Sequence, residues 1–158
     1  MSENRPELPA SETALPGARV LVVSAQFNGR IVEELRAGAI ERLELAGVHV
    51  GQIEVPGALE IPVAAAIALD DGKYEGIVAL GCVIRGETEH FAIVAHQSAR
   101  ALMDLAVARR IALGNGILTV ENEEQAWARA RRAGGNTGGH AAAAALSLLR
   151  LARGRKGA

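Results

Sequence analysis

Short runs of unbroken apolar residues alternate along this chain with longer stretches in which apolar positions recur every three or four residues. Arg19–Ser24 (RVLVVS) reads as a buried strand. After a loop at Ala25–Gly29, residues Ile31, Val32, Leu35, Ala39, Ile40, Leu43 and Leu45 keep helical spacing up to Gly47, a good C-terminal stop. Val48–Val55 alternates as a strand and ends at Pro56-Gly57. Leu59–Leu69 resumes helical spacing, with Pro62 admissible only in the first turn. The turn Asp70–Lys73 leads into a third buried strand at Ile77–Gly81. From Thr88 to Arg110, Ile93, Val94, Ala101, Leu102, Leu105 and Val107 mark a long amphipathic helix. Gly114-Asn115-Gly116 is expected to break it, before a fourth strand at Ile117–Val120. A helix through Gln125–Arg132, a glycine-rich turn at Gly134–Gly139 and a last helix over His140–Arg153 follow, and the tail Gly154–Ala158 is expected to fray.

This order of strands and helices predicts an α/β fold: a four-stranded parallel sheet with helices on both faces. Residues 18–158 are expected to form one domain. Residues 1–17 carry three of the five prolines and cannot build a core, so they predict a disordered arm or an extended strand lent to something else. The chain has 158 residues, and 49% are hydrophobic but only 3% aromatic, so small aliphatic side chains must supply the core. A formal net charge of -1 gives no reason to expect a nucleic acid or an anionic membrane as partner. One cysteine excludes an internal disulfide and fits a reducing compartment; with no leader-like apolar segment, a cytoplasmic location is expected.

In an open parallel sheet, ligands sit at the carboxyl ends of the strands. Four loops are expected there: Gln26–Gly29, Pro56–Glu60, Arg85–His90 and Asn115-Gly116. The Arg85–His90 loop opens the long helix, where the unpaired amides of Glu87 and Thr88 and the helix dipole favour an anion, with the titratable His90 in the first turn. Phe27 either stacks on a flat heterocycle or caps the core edge. Glu60 either accepts hydroxyl hydrogen bonds from a ligand or is a plain N-terminal carboxylate. Glu87-x-x-His90 is half of a di-iron motif, but the second half is missing and no metal site is expected. Cys82 reads as a packed thiol rather than a nucleophile. The cluster Arg129, Arg131 and Arg132 reads as a solvated face. No dinucleotide or Walker A glycine pattern is present.

The ordered set F27-N28, VPGALEIP (55–62), LGCVIRGETEHF (80–91) and GILTVENEEQA (116–126) resembles the lumazine synthase family over residues 19–150. The resemblance implies a flavodoxin-like three-layer α/β/α sandwich, assembled into pentamers with active sites shared between subunits. It also implies an N-terminal segment able to add a strand to a neighbour's sheet. The implied reaction condenses 5-amino-6-(D-ribitylamino)uracil with L-3,4-dihydroxy-2-butanone 4-phosphate, without metal or organic cofactor. Implied roles are Phe27 stacking on the pyrimidine, with Asn28 beside it, and Ala58, Leu59 and Glu60 binding the uracil substrate. Backbone groups of Cys82, Val83 and Ile84 would read the ring edge. Glu87 and Thr88 would hold the phosphate, assisted by Arg129 of the adjacent subunit, while His90 moves protons. The sequence departs from the family pattern at Asn115, a position often aromatic, which offers amide hydrogen bonds to the ring instead. It departs again at Thr137 and His140, where a lysine and an acid are usual. These two favour an alternative expectation, a weakly active or inactive paralogue that binds lumazine or flavin.

Overall fold

The computed structural model describes residues 5–157. Within them run β1 (Arg19–Ala25), α1 (Gly29–Leu45), β2 (His49–Val55), α2 (Glu60–Leu69), β3 (Gly76–Ile84), α3 (His90–Arg109), β4 (Ala112–Val120), α4 (Glu123–Ala130) and α5 (Thr137–Lys156). The four strands pair in the order β2-β1-β3-β4, and each pairing is parallel. This is the expected α/β class, and the layering fits a flavodoxin-like sandwich.

The period-2 geometry of a strand decides which helix layer each residue meets. On β1, Val20 and Val22 face the layer made by α1, α4 and α5, where they join Leu35, Leu43, Ala142 and Leu146. Leu21, Val23 and Ala25 face the opposite layer of α2 and α3, with Ile61, Ala65 and Leu102. Leu35, Leu43, Ile61 and Leu146 are fully buried, each contributing about 1.5–3 kcal/mol of transfer free energy. The end of α1 follows the expected logic. Gly47 takes a left-handed φ of 70°, its N–H donates to Glu44 O at 2.9 Å, and that of Val48 to Leu43 O at 3.4 Å.

Three boundaries differ from the sequence reading. The long helix ends at Arg109, next to the expected Arg110, but what ends it is the left-handed Arg110 (φ 50°) and not a glycine. Gly114-Asn115-Gly116 is therefore no break and no loop; it lies inside β4, with Asn115 in register with Ala79. The two glycines serve close approach instead. A Cβ on Gly114 would run into the Ala141 carbonyl of α5, and one on Gly116 would lie 2.7 Å from Leu80 Cδ2. The last helix likewise starts at Thr137, inside the glycine-rich turn, where a Cβ on Gly138 would strike the Leu35 carbonyl of α1. Asn136 caps it by accepting the Gly139 N–H at 3.2 Å. At its far end α5 continues to Lys156 rather than fraying at Gly154, with Arg153 pinned to Pro16 O at 2.9 Å and Glu75 at 3.2 Å.

Residues 5–17 form no strand or helix and lie along α1 and α5 of the same chain. Leu15 is buried and donates its N–H to Ala46 O at 2.9 Å. The Glu12 carboxylate, only 6% exposed, lies between Arg42 Nη1 at 3.0 Å and Arg150 Nη2 at 2.9 Å. Among the described residues, no helix is long and apolar enough to cross a membrane.

Candidate active site

The sheet's own stagger creates the site. β1 pairs with β3 only as far as Ser24 with Leu80, whereas β3 continues beside β4 to Ile84 with Val120. Gly81–Ile84 therefore overrun β1 and leave one backbone edge without a strand neighbour. Cys82 and Ile84 send their side chains to the α1/α5 side, so what they offer on the open edge is backbone. Val83 points to the α2/α3 side and contributes its side chain. Arg85 N–H donates to Val120 O at 2.9 Å and Cys82 O accepts Asn28 Nδ2 at 2.8 Å, which fits the alternation of backbone groups along a strand.

A cleft of ≈ 330 Å³ opens at that edge, lined among others by Phe27, Asn28, Gly57, Glu60, Ile84 and His90. The β1–α1 loop reaches it because Asn28 adopts a left-handed backbone (φ 57°), tolerable for this residue type. That turn frees the Asn28 side chain from capping α1 and aims it at β3. Gln26 and Phe27 N–H groups donate to Val55 O (2.8 Å) and Pro56 O (3.2 Å), tying the first two loops together. Phe27 is 70% exposed, so it does not cap the core edge. Its ring lies over Gly57, where a Cβ would come to 3.3 Å of Cδ2 and 3.8 Å of Glu60 Oε2. Glu60 is the first residue of α2, with Leu59 half-exposed and Ala58 buried just before it. His90 is exposed at the first position of α3 and donates its backbone N–H to Thr88 Oγ1 at 3.3 Å. Glu87 and Thr88 lie on the loop between Ile84 and His90, and neither N–H has an acceptor among the described residues.

Cys82 lies at the cleft floor with its thiol buried. Burial, with the Glu123 carboxylate adding, pushes that thiol up to about 11, which favours the inert form over a nucleophile. No third His, Cys, Asp or Glu joins Glu87 and His90 among the described residues.

Four expected site residues do not line this cleft: Glu87 and Thr88, on the loop that ends at His90, and Asn115 and Arg129, on β4 and α4. Asn115 lines a second cavity of ≈ 490 Å³ between β4 and α3, shared with Phe91, His96 and Thr119. Arg129 lies on α4 and donates Nη1 to Gln125 O at 3.0 Å. Its neighbours in the basic cluster are spoken for: Arg132 pairs with Glu34 and Glu41, and Arg131 covers the Trp127 ring at 5.2 Å. The hydrogen bond from the Arg132 backbone, then desolvation in opposition and the Arg132 side chain, leave Glu34 below the usual carboxylate range. Thr137 opens α5, and His140 follows one turn on; burial, then the nearby Arg5 and Arg42 charges, lower the imidazole below its ordinary value. Ala25 and Val94 also line the cleft. The sequence reading passed over both, although Ala25 ends a strand and Val94 is one helical turn beyond His90.

Comparison with known proteins gives a consistent result. A family model described as 6,7-dimethyl-8-ribityllumazine synthase matches residues 17–153. A protein of that name from Methylobacterium radiotolerans is 60% identical over 148 residues, covering 94% of this chain and 90% of its own length. Another from Azorhizobium caulinodans is 57% identical, covering 97% and 98%. One from Nitrobacter winogradskyi is 52% identical, covering 97% of each.

Proposed function

The chain belongs to the 6,7-dimethyl-8-ribityllumazine synthase family, and from that premise we propose that its reaction runs in the cleft between Phe27, Glu60 and His90. It is an enzyme of riboflavin biosynthesis, a transferase joining 5-amino-6-(D-ribitylamino)uracil to L-3,4-dihydroxy-2-butanone 4-phosphate to give 6,7-dimethyl-8-ribityllumazine. Nothing in the comparisons favours a non-catalytic paralogue.

The convergence of three loops on the edge where β3 overruns β1 is the observation that carries the assignment of the site. Phe27 offers an exposed aromatic face for the pyrimidine. Asn28, Ala58 and Leu59 wall the ring, and Cys82 and Ile84 present backbone groups to its edge while Val83 packs beside it. Glu60 accepts from ribityl hydroxyls. The Glu87 and Thr88 amides take the phosphate, a role supported by their lack of other acceptors and by the start of α3 behind them.

The uracil's 5-amino group attacks the ketone and water leaves to give an imine. Phosphate then departs, stabilised where its charge develops by fixed amides. Tautomerisation and attack by the ribityl-bearing nitrogen close the ring with loss of a second water. His90 moves protons in these steps, which suits an imidazole near neutral pH. Holding two substrates together supplies much of the acceleration.

Sites are completed between neighbouring subunits of a pentamer, to which Asn115 and Arg129 contribute from the adjacent copy. That neither lines its own cleft supports this, as do the apolar Val63, Ile67, Ile93 and Val107, which stand exposed on α2 and α3. The unpaired edge of β2 is where a neighbour's N-terminal segment would add a strand; residues 5–17 lie along α1 and α5 of their own chain, and residues 1–4 of the expected arm lie outside the described residues. The lone buried thiol fits a cytoplasmic location.

The test is an assay with both substrates, following the lumazine chromophore. His90→Ala is expected to lower kcat by roughly 10²–10⁴-fold while the uracil substrate binds almost as before. A full-rate variant would remove His90 from the mechanism.

A further inference from the structure

Arg85 begins the loop that carries Glu87, Thr88 and His90, yet it does not line the cleft. Its backbone N–H makes the last bond between β3 and β4, to Val120 O at 2.9 Å. Its Nε donates to Glu121 Oε2 at 2.8 Å, and its guanidinium carbon stands 4.3 Å from the centroid of the Phe91 ring. Phe91 directly follows His90. One side chain thus grips the chain just before the loop and just after it, against the end of β4.

The loop has little else to hold it. His90 N–H to Thr88 Oγ1, at 3.3 Å, is the one hydrogen bond inside it among the described residues, and a Cβ on Gly86 would touch nothing. The anchor at Glu121 is itself fixed. The Glu121 N–H donates to Gln125 Oε1 at 2.8 Å, and the Gln125 N–H to Asn122 Oδ1 at 2.9 Å. The Gln125 carbonyl also accepts Arg129 Nη1 at 3.0 Å. A continuous set of contacts therefore leads from the loop to the guanidinium on α4.

We propose that Arg85 is a positioning residue for the synthase reaction: through Glu121 and Phe91 it sets the loop amides in the arrangement that receives the substrate's phosphate. This rests on the assignment of those amides to the phosphate. The planar guanidinium suits the task, since it hydrogen-bonds with its edge while stacking with its face; a lysine ammonium does only one of these. Both partners are about half exposed, with side-chain exposures of 49% and 57%, so the effect is moderate rather than absolute.

Steady-state kinetics with each substrate varied in turn provide the test, alongside inhibition by inorganic phosphate. In Arg85→Met, KM for the phosphate-bearing substrate and the inhibition constant of inorganic phosphate both rise about five- to twentyfold, while KM for the uracil substrate stays within about twofold. Glu121→Gln reproduces the same split, the double variant adds little to either alone, and Arg85→Lys recovers only a minor part. Unchanged phosphate constants in Glu121→Gln beside raised ones in Arg85→Met would make Arg85 a direct phosphate ligand and overturn the proposal. An equal rise in both KM values would overturn it as general loosening. Failure of inorganic phosphate to compete in the wild-type enzyme would instead withdraw the phosphate site itself.

Discussion

Cys82 and Phe27 show how neighbours in one cleft acquire opposite characters. Cys82 is 4% exposed, its side chain among Val78, Leu80 and Leu118, and its thiol is pushed up to about 11 by that burial. Phe27, by contrast, leaves its ring outside the core because the left-handed Asn28 turns the chain at once into α1. Native protein at pH 8 should therefore be alkylated at Cys82 roughly a hundredfold more slowly than the urea-unfolded chain, the thiolate population being that much smaller. Mass spectrometry of timed iodoacetamide quenches reads this directly, and equal rates would refute the packed-thiol reading. These residue characters were partly legible from the chain. A cysteine in an apolar run announced burial, whereas Phe27 in a polar loop stayed ambiguous until its exposure was known. Ala25 and Val94 carry no chemical mark, so only their position at the cleft identified them.

At the scale of elements, the same glycines that punctuate the sequence carry a second meaning. Gly114 and Gly138 were read as breaker and turn, which is what glycine signals locally. Their true partners are Ala141 and Leu35, 27 and 103 residues away by the numbering, and no local pattern reports a contact that distant. Strand and helix identities were legible because they rest on periodicity; these boundaries were not, because they rest on how closely layers approach. Gly138→Ala should cost about 2 kcal/mol by overpacking and lower Tm by roughly 4–8 °C. Gly154→Ala in the same helix, where a Cβ meets open space, should raise stability by about 0.5 kcal/mol. Thermal melts of the pair check the sign reversal within α5.

For the whole molecule, the segment before β1 matters more than its irregular backbone suggests. Glu12 joins Arg42 of α1 to Arg150 of α5, while Pro9, Thr13 and Pro16 carbonyls accept from Arg42, Arg150 and Arg153. Glu12→Gln removes the charge that both guanidinium groups face. The segment can release without opening the core, so the loss is confined there. Amide exchange at residues 12–15 should accelerate roughly tenfold or more, the worth of one charge-assisted hydrogen bond, with Tm changed by less than about 3 °C. A collapse of global stability instead would mean that this clasp holds the two helices themselves.

The two sides of the sheet are built to different tolerances. On the side of α1 and α5 the packing is so close that Gly114 against Ala141, Gly116 against Leu80 and Gly138 against Leu35 leave no room for a methyl group, while towards α2 and α3 a hollow remains at the strand ends. Reactants must therefore bring the packing that the open side lacks, and they do so against a closely fitted opposite half that acts as a rigid backing plate.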